Sequence, residues 1–354
     1  MPSSSESLFT REACLTPEFV PDELPGREAH LRELAFLLEP ASRGLRPANA
    51  FLSGPPGTGK TASARFMLRQ LEDSGAHVLT VYVNCWQEST RLAVLSRLAV
   101  TMRLPLPRRG LAEDEVLTRV MEALRKDQRV LIVVLDELDR LEGRDRLLYD
   151  LSRAGEVHGV KAGVLAVSND PALLVRVEER VRSSLAAKSL EFRPYSPPEL
   201  KKILSERARM AFRPGTFSEE AVAVSVAMAS KNKGDARLAI ELLLRAGRYA
   251  EQHGLDSVGA GEVRAANEPF RAKPVEELPE ELSKGEELLL KVLKSLPGAK
   301  KAGVESGVAY VEYLKEKNES ERSLRAHLAQ LEKRGLVETW LEKNTRFIKL
   351  KKAS

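Results

Sequence analysis

The feature that most constrains this chain is an eight-residue loop, Gly54-Pro55-Pro56-Gly57-Thr58-Gly59-Lys60-Thr61, which satisfies the pattern G-x-x-x-x-G-K-[ST]. Such a loop works only between a strand and a helix, and here a short apolar run, Ala50–Ser53, precedes it and a helical pattern follows. The glycines let the backbone curl so that successive N–H groups point inward at phosphate oxygens, and the N-terminus of the following helix adds a favourable field for the anion. Lys60 is expected to reach the β- and γ-phosphates and Thr61 to ligand Mg2+, with Ala62 completing the cradle.

The flanking pattern extends the constraint to a whole domain. From Ala50 to about Phe192, apolar runs alternate with helical stretches: Ala50–Ser53, Val78–Asn84, Val130–Leu135, Gly163–Ser168 and Ser189–Phe192. Val130–Leu135 is apolar without alternation, as a strand buried on both faces must be. The alternation predicts an α/β fold, a parallel sheet sandwiched by helices. A helix is expected over Arg27–Leu38, after the turn signal Leu24-Pro25-Gly26, and purely helical structure from Pro197 to about Asn267.

Four further groups fit a nucleotide site. Asp136 and Glu137 follow the buried strand. Asp136 is expected to hold the magnesium water shell and Glu137 to polarise an attacking water as general base. Acids after a strand also serve as plain helix caps, but the P-loop upstream favours the chemical role. Asn169, in Ser168-Asn169-Asp170, ends the next strand over the same crevice and is a candidate to orient that water, with an Asx turn before Pro171 as the plainer alternative. Arg180 and Arg182, in Glu179-Arg180-Val181-Arg182-Ser183-Ser184, are candidate arginine fingers toward a neighbouring subunit, or ordinary surface arginines. Arg237, in Gly234-Asp235-Ala236-Arg237, opens a lid helix from which it would lean onto the γ-phosphate.

Composition narrows the rest. A length of 354 residues suits two or three domains, and 43% hydrophobic residues suffice for cores. No apolar run approaches the roughly 20 residues of a membrane helix, and Met1–Ser7 does not read as a secretory signal. Two cysteines, Cys14 and Cys85, make neither a disulfide framework nor a metal site, so a cytoplasmic, nucleoid-associated location is expected. From residue 280 to 354 there are 16 Lys and Arg against 12 Asp and Glu, so +4 of the net +5 falls there. Charge alone leaves a nucleic-acid contact and a solvated surface equally open. This region reads as helices over Lys284–Leu296 and Gly303–Lys317, and a third capped by Asn318 and Glu321 that ends at Gly335. A hairpin follows, Leu336–Leu341 and Thr345–Leu350.

The set GPPGTGKT, LDELD, SND, ERVRSS and GDARLA, in this order and spacing, resembles the archaeal replication initiators of the AAA+ class. These are the relatives of the eukaryotic origin recognition complex and its cell-division-control loader. The arm FVPDELPGREAHLREL and the segment FRPYSPPELKKILSERAR also resemble that family, and the likeness runs from about Leu8 to Leu350. It implies that the arm Pro21–Glu28 lines an adenine pocket, that Tyr195 and Arg207 also contact nucleotide, and that Glu88–Leu111 contains an extra helix able to touch DNA. It also implies an order of domains: arm and ATPase core over 1–196, helical lid over 197–270, linker over 271–283 and a C-terminal winged-helix domain over 284–354.

Within that order, the third C-terminal helix has a buried stripe of Leu324, Leu328 and Leu331. The opposite side presents Arg322, Arg325, Ala326, Ala329, Gln330 and Lys333. Arg and Gln read base edges and the alanines permit close approach to a groove, while Lys343, Asn344 and Arg346 in the wing are expected to grip phosphate or minor groove. Taken singly each is a surface group. Taken together they point to duplex DNA.

The function implied is ATP-dependent initiation at an origin, with ATP/ADP and Mg2+ as cofactors, weak ATPase turnover and nucleotide state as a switch. Origin DNA, a replicative helicase and paralogous initiators are the expected partners, with a monomer in solution assembling on DNA and no membrane contact. Two alternatives stay open. One is a clamp-loader-like subunit, which normally carries Ser-Arg-Cys where Arg182-Ser183-Ser184 stands and lacks a winged helix. The other is a nucleotide-gated DNA-binding regulator with little turnover.

Overall fold

The computed structural model describes residues 7–75, 77–105, 112–267, 283–297, 303–316, 321–333, 336–342 and 345–350. They fall into two units divided between Pro269 and Phe270. The first is built on five parallel strands: β1 (Ala50–Ser53), β2 (Val78–Asn84), β3 (Val130–Asp136), β4 (Ala162–Ser168) and β5 (Lys188–Glu191), in the order β2-β3-β4-β1-β5. Burial follows position in the sheet. Every residue of β1, β3 and β4 is buried, whereas the edge strand β2 alternates buried with half-buried residues and the edge strand β5 is mostly exposed.

Strand alternation sorts β3 between two cores. Leu131, Val133 and Leu135 pack with the helices Arg91–Thr101, Glu113–Asp127 and Arg144–Ser152. Val130, Ile132 and Val134 pack with Glu28–Ser42 and the P-loop helix Lys60–Asp73. The first helix runs past the expected Leu38 to Ser42 because Leu37, Leu38 and Ala41 keep the buried stripe going. The last strand lies one residue earlier than expected: Phe192 leaves the ladder but stays fully buried, its amide bonded to Ser53 O at 2.7 Å.

The lid consists of Pro197–Ala211, Glu219–Lys231, Ala236–Gln252 and Ala260–Asn267. Pro197 sits at the start of the first, where its missing N–H costs nothing, and Ser196 with Glu199 forms a capping box. The N-terminal arm packs into this lid and not into the sheet. Leu8, Cys14 and Leu15 join the lid core, Phe9 stacks on Phe212 at 4.7 Å, and a short 3-10 helix spans Glu12–Leu15. Cys14 and Cys85 are both buried and free, and burial pushes the Cys85 thiol up to about 12. No helix among the described residues is long and apolar enough to cross a membrane.

The second unit has helices Lys284–Ser295, Ser306–Glu316 and Glu321–Lys333 with an antiparallel sheet of β6 (Val304–Glu305), β7 (Val337–Glu342) and β8 (Thr345–Leu350), ordered β6-β8-β7. Leu289, Leu293, Tyr313, Leu324, Leu328, Leu331 and Ile348 form its core. One expectation is corrected here: the second helix starts at Ser306, and Val304–Glu305 pairs instead with Ile348 and Phe347 as a third strand. Two paired residues are too short to show periodicity in sequence. Most of the expected linker, 271–282, lies outside the described residues.

Candidate functional site

The sheet order explains the site. β4 lies between β1, which feeds the P-loop, and β3, which ends in Asp136. Ser53 is in register with Ser168 and Leu135 with Ala166. The P-loop, Ser168-Asn169 and Asp136-Glu137 therefore emerge side by side at the carboxyl ends of three neighbouring strands, where open α/β sheets bind ligands.

They line a cleft of about 430 Å³, together with Pro21 of the arm and Tyr195, Arg207 and Arg237 of the lid side. The arm and lid contribute apolar surface through Leu15, Phe19, Val20, Ile203, Ile240 and Leu244, while the P-loop and strand ends contribute polar groups. Gly54 and Pro55 stand outside that lining, as do the two finger candidates Arg180 and Arg182. Both arginines are exposed: Arg180 pairs with Glu178 at 2.7 Å and lies over the Tyr149 ring, and Arg182 reaches the Val175 carbonyl at 3.5 Å.

Lys60 is buried, and its ammonium donates to the carbonyls of Gly54 and Pro55, each at 2.7 Å. Burial lowers its pKa from 10.5 to about 8 against the opposing attraction of Asp136, with Arg237 and Arg27 adding to the depression. Thr61 Oγ1 donates to Asp136 Oδ2 at 2.8 Å, and the Glu137 amide donates to Asp136 Oδ1 at 3.0 Å. Glu137 itself has φ +56°, a left-handed conformation costing roughly 1 kcal/mol for a residue with a side chain. Such strain is kept where the surroundings over-determine it.

Asn169 is exposed to the cleft. The Asx turn is made by its neighbour: Asp170 Oδ1 accepts from the Ala172 amide at 2.9 Å, and the Ser168 hydroxyl donates to Asp139 at 2.8 Å. Arg237 lies in the first turn of Ala236–Gln252, whose N-cap Asp235 accepts from the amides of Arg237 and Leu238. That helix start touches the P-loop directly, the Ala236 amide donating to Gly57 O at 3.2 Å. Gly57 must be glycine, because a Cβ there would lie 1.8 Å from the Asp235 carboxylate and its φ is +72°.

Three residues were not singled out by sequence reasoning. Arg27 is 3% exposed and donates to Thr58 O at 2.8 Å, Gly26 O at 2.7 Å and Arg193 O at 2.6 Å, with its guanidinium 3.8 Å over the Tyr195 ring. Arg69, on the P-loop helix, donates to Val20 O and Pro21 O at 3.1 and 2.9 Å. Tyr82 donates to Asp136 Oδ2 at 2.7 Å, and burial together with that carboxylate raises the pKa of its phenol. Only Arg27 left a trace, directly after the Pro-Gly turn. Arg207, expected at the nucleotide, borders the cleft but spends its guanidinium on the arm, donating to Cys14 O at 2.8 Å and Phe19 O at 3.0 Å.

In the second unit Leu324, Leu328 and Leu331 are buried, and Arg325, Ala326, Ala329 and Gln330 are exposed on the third helix, as is Arg346 on β8. The side chains of Arg322 and Lys333, and residues Lys343 and Asn344 altogether, lie outside the described residues.

Comparison with known proteins follows the same division. Residues 46–166 match the AAA domain family and residues 201–268 the Cdc6 AAA+ ATPase-type lid domain. ORC1-type DNA replication protein 1 of Aeropyrum pernix is 38% identical over 280 residues, covering 77% of this chain and 71% of that protein. The protein of the same name from Methanothermobacter thermautotrophicus is 31% identical over 94% of this chain and 89% of its own length. Among solved structures, Aeropyrum pernix ORC1 in complex with DNA superposes with a TM-score of 0.69 at 34% identity, covering 98% of this chain and 94% of that one. Cdc6p from Pyrobaculum aerophilum gives 0.66 at 27% identity, covering 97% and 94%.

Proposed function

The chain belongs to the family of ORC1-type DNA replication proteins, and on that premise we propose that it is a replication initiator with a nucleotide switch. It binds ATP, holds origin duplex DNA through the winged-helix unit, and promotes loading of the replicative helicase. A related ORC1 was solved with DNA, and Aeropyrum pernix ORC2, 25% identical, was solved in an ADP form.

The observation that carries the switch is the joint between P-loop and lid. The Ala236 amide already bonds Gly57 O and Arg237, the next residue, lines the cleft, which supports a contact between Arg237 and a terminal phosphate. Phosphate binding turns the Lys60 ammonium from the Gly54 and Pro55 carbonyls to the anion, and Arg237 follows the γ-phosphate when it is present. Tyr195, Pro21 and the apolar arm enclose the base. Lid angle then differs between ATP and ADP.

The donor set fits a magnesium ion. One carboxylate, Asp136, beside one hydroxyl, Thr61, leaves the remaining positions to phosphate and water, as this ion prefers. When bound, Mg2+ would offset the charge of the phosphates. Glu137 takes the proton of the attacking water and Asn169 orients that water. Arg180 and Arg182 are exposed and do not line their own cleft, which supports a role toward a neighbouring copy or a paralogue assembled on DNA, with slow turnover by one chain alone.

That same placement favours a second reading, a regulator in which ATP binds and hydrolysis is incidental. Single-turnover hydrolysis on wild type and Glu137→Gln, with and without duplex DNA, tests both. The initiator reading expects slow turnover in wild type and a drop of roughly 100-fold or more in the variant, with ATP and DNA binding retained. Binding without turnover in either protein would replace it with the regulator.

A further inference from the structure

We infer that Tyr82 is a positioning residue for the metal-binding carboxylate, holding Asp136 in the rotamer that keeps Oδ2 on Thr61. The inference rests on the nucleotide reading above but concerns a residue outside the P-loop, the acidic pair and the lid. Asp136 is buried at the end of the interior strand β3. Its Oδ1 is fixed from below by the Glu137 amide. Its Oδ2 receives two hydroxyls, Thr61 at 2.8 Å and Tyr82 at 2.7 Å.

These two donors differ in what nucleotide does to them. Thr61 lies in the phosphate cradle and must offer its oxygen to the ion, so its hold on Asp136 depends on the state of the site. Tyr82 comes from β2, on the far side of β3 from the P-loop, and is not among the residues that line the cleft. Its ring is itself fixed, half-buried against the P-loop helix core, with the Arg65 guanidinium 4.1 Å from the ring centroid. Tyr82 therefore supplies the constant part of the carboxylate's orientation. Outer partners of metal ligands act in this way, and losing one typically weakens metal affinity about 10-fold or more.

Tyr82→Phe removes the hydroxyl, with its bonds to Asp136 and to the Arg65 side chain, and keeps the ring under the Arg65 guanidinium. The readout is fluorescence of a mant-labelled ADP titrated first in EDTA and then with increasing Mg2+, on the full chain, alongside the melting temperature in EDTA. The expected result is unchanged metal-free ADP affinity and an Mg2+ half-saturation raised about 10-fold. An unchanged Mg2+ half-saturation overturns the proposal. So does a fall of ADP affinity by one common factor with and without metal, accompanied by a lower melting temperature, because a purely structural residue would give that. If wild type binds no ADP, the nucleotide reading fails first and takes this inference with it.

Discussion

The candidate nucleotide cleft and the proposed DNA face of the second unit are built on opposite plans. In the cleft, function depends on buried polar groups that hold one another: Arg27 on three carbonyls, Lys60 on two, and Asp136 on Thr61, Tyr82 and the Glu137 amide. In the winged-helix unit, a plain apolar core of Leu324, Leu328, Leu331, Tyr313 and Ile348 supports exposed Arg325, Gln330 and Arg346. A network in low dielectric transmits a change at one member to the rest. Side chains on a solvated helix face are coupled more weakly, because water screens their charges. The first arrangement suits a switch and the second suits a grip.

The largest expected effect that would break this contrast is at Arg27. Arg27→Met removes its hydrogen bonds to Thr58, Gly26 and Arg193 and is expected to cost about 3 kcal/mol of unfolding free energy. Denaturant unfolding measures it, and a loss under 1 kcal/mol would mean the buried network is ornamental. Combining it with Tyr195→Leu, whose ring it covers, should give a coupling energy above about 0.5 kcal/mol.

A middle-sized effect sharpens the other side. Arg325→Ala and Gln330→Ala should each weaken duplex binding by about 1–3 kcal/mol if they read bases. Measured by fluorescence anisotropy at fixed salt, the double variant should equal the sum within about 0.5 kcal/mol. Strong non-additivity there would erase the distinction between the two regions.

The smallest effect is a proton. Lys60 has its folded-state pKa lowered to about 8, so the folded protein sheds this proton as pH rises through 8 while the unfolded chain keeps it to about 10.5. The unfolded state then binds more protons between those values, and the Lys60 contribution to stability rises with pH across that window. Phosphate favours the charged ammonium, so nucleotide binding near pH 8 should take up a fraction of a proton. Calorimetry in two buffers of different ionisation enthalpy detects it, and the uptake should vanish in Lys60→Met.

Much of this was legible before any coordinates. Val130–Leu135 read as a strand buried on both faces, and Gly54–Thr61 as a loop between a strand and a helix, and both are found so. Asp136, Glu137, Asn169 and Arg237 meet in one cleft because strand ends and a helix start are local features with local signatures. Tyr82 and Arg69 were not legible, because each acts across a sheet or between elements, on an atom more than forty residues away. The arm was half legible: Pro21 at the cleft was expected, the burial of Leu8, Cys14 and Leu15 in the lid was not.

By itself, the amino-acid sequence determined the periodicities, caps and motif residues, which depend on neighbours along the chain. Tertiary structure alone decided who holds whom: that Arg207 serves the arm, that Arg27 locks the P-loop, and that Asp235 fills the space over Gly57. The physical reason is that a buried polar group must find a partner wherever packing leaves one, and packing is settled by the whole fold.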